Sequence, residues 1–240
     1  MKSCWADILG GCNKKSREHY IGHDLFQQLK THGLNKKIDG IELPSSALNA
    51  HILCENHNKQ LSDTDQEAIN LHEGLIKWFE NEDDLLTGAN FWTPTHININ
   101  GLLFGRWLCK LHCNLSTFKD IPPAEYYIRS AFGEQIDPKP RFYVRLNPGD
   151  SVSYEHRIKY SDYFIGLTKQ DEYTLFHVYF MGIDFLVSPF VLSNDIKNKL
   201  AGIIGSQFYL GYWIEKPSKF VMKQHEIQTK SLAFDWKNGV

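Results

Sequence analysis

A chain of 240 residues, 42 % apolar and 22 % charged, is long enough to bury a sizeable core and too ordinary in composition to be disordered or fibrous. Its formal charge of −2 argues against a broad basic face, so any grip on nucleic acid has to be local. No run approaches the roughly 20 uninterrupted apolar residues of a membrane helix, and MKSCWADILGGCNKK lacks a signal-peptide core, so a cytoplasmic protein with no membrane contact is expected.

In chain order, HDLFQQLKTH at 23–32 predicts a short helix with Leu25, Phe26 and Leu29 on one face and Gly33 as its stop. GIELPSSALNAHILC alternates as a ragged hairpin interrupted by Pro44. After Cys54 the period changes. Ser62 and Asp65 resemble a capping box, and Ile69, Leu71, Leu75, Ile76 and Phe79 continue a helix toward the acidic patch ENEDD at 80–84. That patch sets the expected division into residues 1–84 and 85–240. GLLFGRWLCKLHCNLSTF is apolar enough to predict a buried helix. From Pro138 the chain turns β-rich through RFYVRLN, HRIKYSDYFIGLTK and YTLFHVYFMGIDFLV, with a hairpin tip between Lys169 and Glu172. DIKNKLAGIIG then reads as helical, and the class is α+β.

Five cysteines in a reducing compartment point to metal binding or plain burial rather than to disulfides. Cys4, Cys12, Cys54 and His57 make a donor set suited to tetrahedral zinc. The Cys54-x-x-His57 half has standard spacing, whereas seven residues separate Cys4 from Cys12 and ADILGG has to loop out. His51 is a substitute ligand held in reserve. Cys109 and Cys113, with His112 between them, would share a helix face with Gly105 and Phe104, which favours packing over a second metal site. The aromatic residues of the C-terminal half are read as β core; Arg145, Arg157, Lys159 and Lys169 interleave with them too sparsely for a nucleic-acid face.

Between the proposed zinc ligands stand Glu18-His19, shortly after Cys12, and Asn49; Asn58 follows His57 directly. This order of parts over residues 1–65 resembles the HNH endonucleases, the treble-clef, ββα-metal family of nucleases. The resemblance implies a zinc-bound treble-clef module, a helical connector and a β-rich C-terminal part. It implies structural Zn2+ on Cys4, Cys12, Cys54 and His57, and His19 as general base, since a neutral imidazole suits deprotonation of water near neutral pH. Glu18 and Asn58 would hold a catalytic divalent ion, Mg2+ or another, and Asn49 would brace the hairpin. Asn58 stands where the family more often has histidine. Lys14, Lys15 and Arg17 would touch phosphates of the nucleic-acid partner, expected to be DNA. The implied activity is metal-dependent phosphodiester hydrolysis, of a kind used in bacterial restriction or phage defence, with the β-rich part available to a protein partner. The alternative from another class is a zinc treble-clef module that binds without catalysis.

Overall fold

A computed structural model describes residues 4–16, 18–19, 36–38, 41–42, 49–86, 96–135, 137–146, 163–170, 173–180, 183–194, 214–224 and 228–237. Its strands are β1 (Glu18–His19), β2 (Lys36–Ile38), β3 (Ile41–Glu42), β4 (Asn49–Ala50), β5 (His96–Asn100), β6 (Arg141–Leu146), β7 (Tyr163–Gln170), β8 (Tyr173–Phe180), β9 (Ile183–Ser188), β10 (Ile214–Glu215), β11 (Lys219–Gln224) and β12 (Gln228–Asp235). The helices are α1 (Glu55–Gln60), α2 (Ser62–Leu86), α3 (Gly101–Phe118) and α4 (Glu125–Ala131). The class is mixed α+β, as expected. No described helix is long and apolar enough to cross a membrane.

Among the described residues the strands form three sheets, the two larger of which meet α3. A seven-stranded sheet runs β10-β6-β9-β8-β7-β2-β3, a three-stranded one β11-β12-β5, and a two-stranded one β1-β4. Pairing is antiparallel except at β2–β7 and β5–β12, where the strands run parallel. Helix α3 starts because Asn100 caps it: its side-chain oxygen accepts from the backbone N–H of Leu102 and of Leu103, both at 3.1 Å. From Trp107 to Ser116 every residue of α3 is buried, so this helix is covered on all sides. Phe104 meets Phe185 of β9 edge-on at 4.8 Å and Phe234 of β12 at 6.0 Å, which locks the two larger sheets onto the same helix. On its other side Lys110, 1 % exposed, reaches Asp65 of α2 at 2.7 Å.

The expected buried helix at GLLFGRWLCKLHCNLSTF is α3, and Cys109 and Cys113 are fully buried within it. The hairpin tip is also as expected, since the β7–β8 register closes with Gln170 opposite Tyr173. The run YTLFHVYFMGIDFLV divides into β8 and β9, with Phe180 opposite Ile183; all six β9 residues are buried, which hides any alternation in the sequence.

Three local expectations change. The described strands of GIELPSSALNAHILC pair elsewhere: β3 pairs with β2 in the large sheet, whereas β4 pairs with β1. Ser62 forms no capping box, because α1 and α2 are separated only by Leu61 and leave no free helix end. Its hydroxyl donates to the Lys59 carbonyl at 2.9 Å, and Asp65 is committed to Lys110. Arg145 offers no surface charge; it is 2 % exposed and bonded to Asp184. The division expected between 84 and 85 falls inside α2, and one hydrophobic cluster runs from Trp5 to Phe234. The helices expected at 23–32 and 195–205 lie outside the described residues, as does Arg17.

Candidate metal centre

The four expected zinc ligands come from two short pieces of chain that the backbone brings together. Cys54 is the N-cap of α1, with extended backbone at φ −89°, ψ 162°, and His57 lies in the first turn of the same helix. Cys4 and Cys12 flank a loop that doubles back on itself. A single 3-10 turn, Asp7–Leu9, is followed by Gly10 and Gly11, with φ of +72° and +68°. Two successive residues in the left-handed region are costly for any side chain but glycine, and they turn Cys12 back toward Cys4. The long ADILGG spacer is therefore a compact turn.

The helix start is fastened to this loop. The N–H of Glu55 donates to the Lys14 carbonyl at 2.8 Å, that of Asn56 to Asn13 Oδ1 at 3.0 Å, and that of His57 to Cys54 Sγ at 3.5 Å. Asn56 Nδ2 donates back to the Gly11 carbonyl at 3.0 Å. The N–H groups of Glu55 and Asn56 thus hold the loop, while that of His57 is capped by Cys54. Asn56, Asn13 and the glycine pair were not among the residues expected at the site; the Gly-Gly dipeptide before Cys12 is the turn signal that points to them.

The resulting cluster has the dimensions of a tetrahedral site. The four ligand atoms lie within 4.8 Å of one another. His57 Nδ1 is 3.4 Å from Cys4 Sγ, 3.6 Å from Cys12 Sγ and 3.3 Å from Cys54 Sγ. Tetrahedral zinc with Zn–S of about 2.3 Å and Zn–N of about 2.0 Å has S···N edges of about 3.5 Å, so the geometry fits the ion. His57 is 2 % exposed and packs edge-on against Phe132 at 5.3 Å. A Cys3His set of this size is a candidate site for zinc or a similar metal. Among the described residues it is the one such group, and neither His51 nor the Cys109–His112–Cys113 stretch belongs to it.

Protonation points the same way. Burial pushes the Cys4 thiol up to about 12, and desolvation followed by the ionised Cys54 raises Cys12. Burial acts on Cys54 too, but N–H groups of His57 and Asn13 and the thiols of Cys12 and Cys4 outweigh it and leave Cys54 below the ordinary thiol range. A dication is what allows the other two sulfurs to ionise beside it.

The remaining candidates sit next to the cluster. Lys15 bridges Cys54, and Ser16 donates its N–H to the Leu53 carbonyl at 3.0 Å. In a separate pairing, Glu18 stands opposite Ala50 and His19 opposite Asn49. For Glu18, His19 and Asn49 the backbone alone is described. Asn58 lies on α1, and its Nδ2 donates to Ser16 Oγ at 3.1 Å, just ahead of β1. Lys14 and Lys15 are exposed. His51 is exposed as well, with Nδ1 2.9 Å from the Ser16 carbonyl oxygen. No family model, curated protein or solved structure matches the chain.

Proposed function

We propose that the chain is a metal-dependent endonuclease of the HNH type, hydrolysing phosphodiester bonds of nucleic acid, DNA first of all, from a zinc-bound treble-clef module. The observation that supports this reading is a short strand pair next to the cluster. Lys15 bridges Cys54, and a separate two-residue pairing close by in sequence sets His19 opposite Asn49. The family's histidine and asparagine thus fall on paired strands beside a Cys3His cluster, with Asn58 on the helix that supplies two of the ligands.

In this reading His19 accepts the proton of the attacking water. Glu18 and Asn58 hold a divalent ion, Mg2+ or another, which when bound stabilises the charge on the leaving oxygen. The Asn58 amide nitrogen is spent on Ser16, so its carbonyl oxygen is the atom left to bind a cation. Asn49 keeps β4 in register with β1. Lys14 and Lys15, exposed beside the cluster, contact phosphates, and Arg17 is assigned the same role. A cytoplasmic role in restriction or phage defence suits such a module, and the β-rich part is free to engage a protein partner.

The test is cleavage of plasmid and of single-stranded DNA and RNA with added Mg2+ or Mn2+. His19→Ala should cut about 100- to 10,000-fold more slowly at unchanged zinc content. Glu18→Ala should also be slow but recover partly in excess divalent ion. If the parent cuts nothing, or both variants cut as fast as the parent, a non-catalytic zinc binding module replaces the nuclease.

A further inference from the structure

Two adjoining cavities share Lys216. One, of about 540 Å³, opens where β5 and β12 end, between Asn98–Asn100, Ala233–Lys237 and the turn at Lys216–Ser218. The other, of about 280 Å³, lies over the first turn of α3 and the turn that ends α4. Lys216 lines both, so they form one groove.

Four cations are set along it: Lys237 at one end, Lys216 in the middle, and Lys139 with Arg106 at the other. Among the described residues none of the four has a carboxylate within ion-pair distance. Two carboxylates also line the groove: Glu134, held by Arg129 at 2.6 Å, and Asp235, which accepts from the backbone N–H of Lys237 at 2.8 Å. Glu215 is held by Arg141 at 2.8 Å, and Asp63 acts on Arg106 through space. Lys216 is the best-positioned of the four. It sits in the left-handed region at φ +40°, where a lysine is strained, and its N–H donates to the Phe142 carbonyl at 2.9 Å. Its ammonium lies 5.9 Å from the Phe142 ring centre and 5.8 Å from that of Trp236, two rings stacked at 15°. Burial and then the neighbouring Lys139 cation lower its pKa; Glu215 acts in the opposite sense and Arg141 in the same sense as Lys139.

The groove also leads toward the metal centre. Gly133 lies against Arg106, where an added Cβ would be 3.6 Å from the guanidinium, and the preceding residue, Phe132, packs on the ligand His57. A chain of phosphates lying along the four cations would reach the turn that buttresses the Cys3His cluster. We infer that the groove from Lys237 through Lys216 to Lys139 and Arg106 is a track for the phosphate backbone of a polynucleotide. The choice of polynucleotide rests on the nuclease reading; the four cations, of which Arg106 and Lys139 already donate to the neutral Ala131 carbonyl and Gln135 amide, suit a polyanion in either case. The rings at its floor cover one another, so the track holds phosphates and leaves the bases unread. It also supplies the local grip that a chain of net charge −2 needs.

The test is equilibrium binding of fluorescently labelled single-stranded and duplex DNA to the zinc-loaded full chain, with no added magnesium or manganese. Lys139→Glu/Lys216→Glu should weaken binding at least tenfold near 0.1 M salt. Losing two phosphate contacts should also lower the slope of log affinity against log salt by about 1.5 to 2. Lys216→Arg should retain affinity, which separates a requirement for the charge from one for the lysine itself. Unchanged melting and zinc content show the double variant to be folded. The track is refuted if the folded double variant binds DNA with the parent's affinity and salt slope, or if the parent binds no DNA at low salt. It is equally refuted if polyaspartate competes as well as DNA at equal charge. Binding that is lost in the double variant while the parent never cleaves would keep the track and discard the nuclease.

Discussion

Replacing Cys54 by serine separates the metal's contribution from everything else that holds the N-terminal segment. Cys54 Sγ lies 3.3 Å from His57 Nδ1 and also caps α1. Serine is itself a good N-cap, so the substitution removes a thiolate ligand while the helix start keeps its acceptor. With free zinc at about a thousand times its dissociation constant, binding contributes about 4 kcal/mol to the folded state, and that is the expected loss. The segment should nevertheless stay folded. Trp5, Ile52, Leu53 and Leu61 are between 0 and 5 % exposed, and burial of four such side chains contributes about 8 kcal/mol at about 2 kcal/mol each. Trp5 is further held by its indole N–H donating to Asn114 Oδ1 at 2.9 Å. The assay is zinc content together with guanidinium unfolding followed by tryptophan fluorescence, for parent and variant, each with and without chelator. A chelator should lower the parent to the variant's stability and leave the variant unmoved. A parent that unfolds at the same denaturant concentration with and without chelator would refute the metal centre.

Two further predictions concern the core. His112 is fully buried, stacked on Tyr127 at 3.8 Å, and burial lowers its pKa from 6.5 to about 3. A depressed folded value means that this stability is present above pH 6.5 and lost as pH falls toward 3, on the order of 5 kcal/mol in full. His112→Phe should flatten that acid limb of a stability–pH curve, and a limb of unchanged steepness would count against it. Asp65→Ala takes the carboxylate away from the buried Lys110 ammonium and should cost about 3 kcal/mol. Adding Lys110→Met should recover much of that in the same unfolding assay, and a double variant no more stable than Asp65→Ala would show that the charge is not the cause.

The metal ligands were legible because they are few in type and the helix-borne pair has a standard spacing; Cys54-x-x-His57 needs only one turn of helix. The Cys4 half was harder, since its closure depends on two left-handed glycines and on Asn56 reaching back, contacts that no spacing rule contains. Helix α3 could be read from its apolar run. What covers it could not, because the parallel match of β5 to β12 links residues 135 apart, as in Ser231 opposite His96. Arg145 misled for a related reason: an arginine in an alternating strand looks like surface, and only the register that sets it opposite Asp184 shows it to be buried. Lys216 carried no sequence signal at all, since its position follows from backbone conformation.

The pairing of β12 with β5 sets an order of assembly. Residues 4–60 contain all four residues of the candidate metal cluster. The strand that completes the sheet beside α3 is synthesised some 130 residues after its partner, and Trp236, which covers Gly101 at the start of that helix, comes later still. Until then Phe104 lacks Phe234 and the groove has no floor. A chain interrupted before residue 228 would therefore carry the metal cluster without the surface that holds a polymer against it. Synthesis itself would keep the two halves of the machinery apart until the last strand is in place.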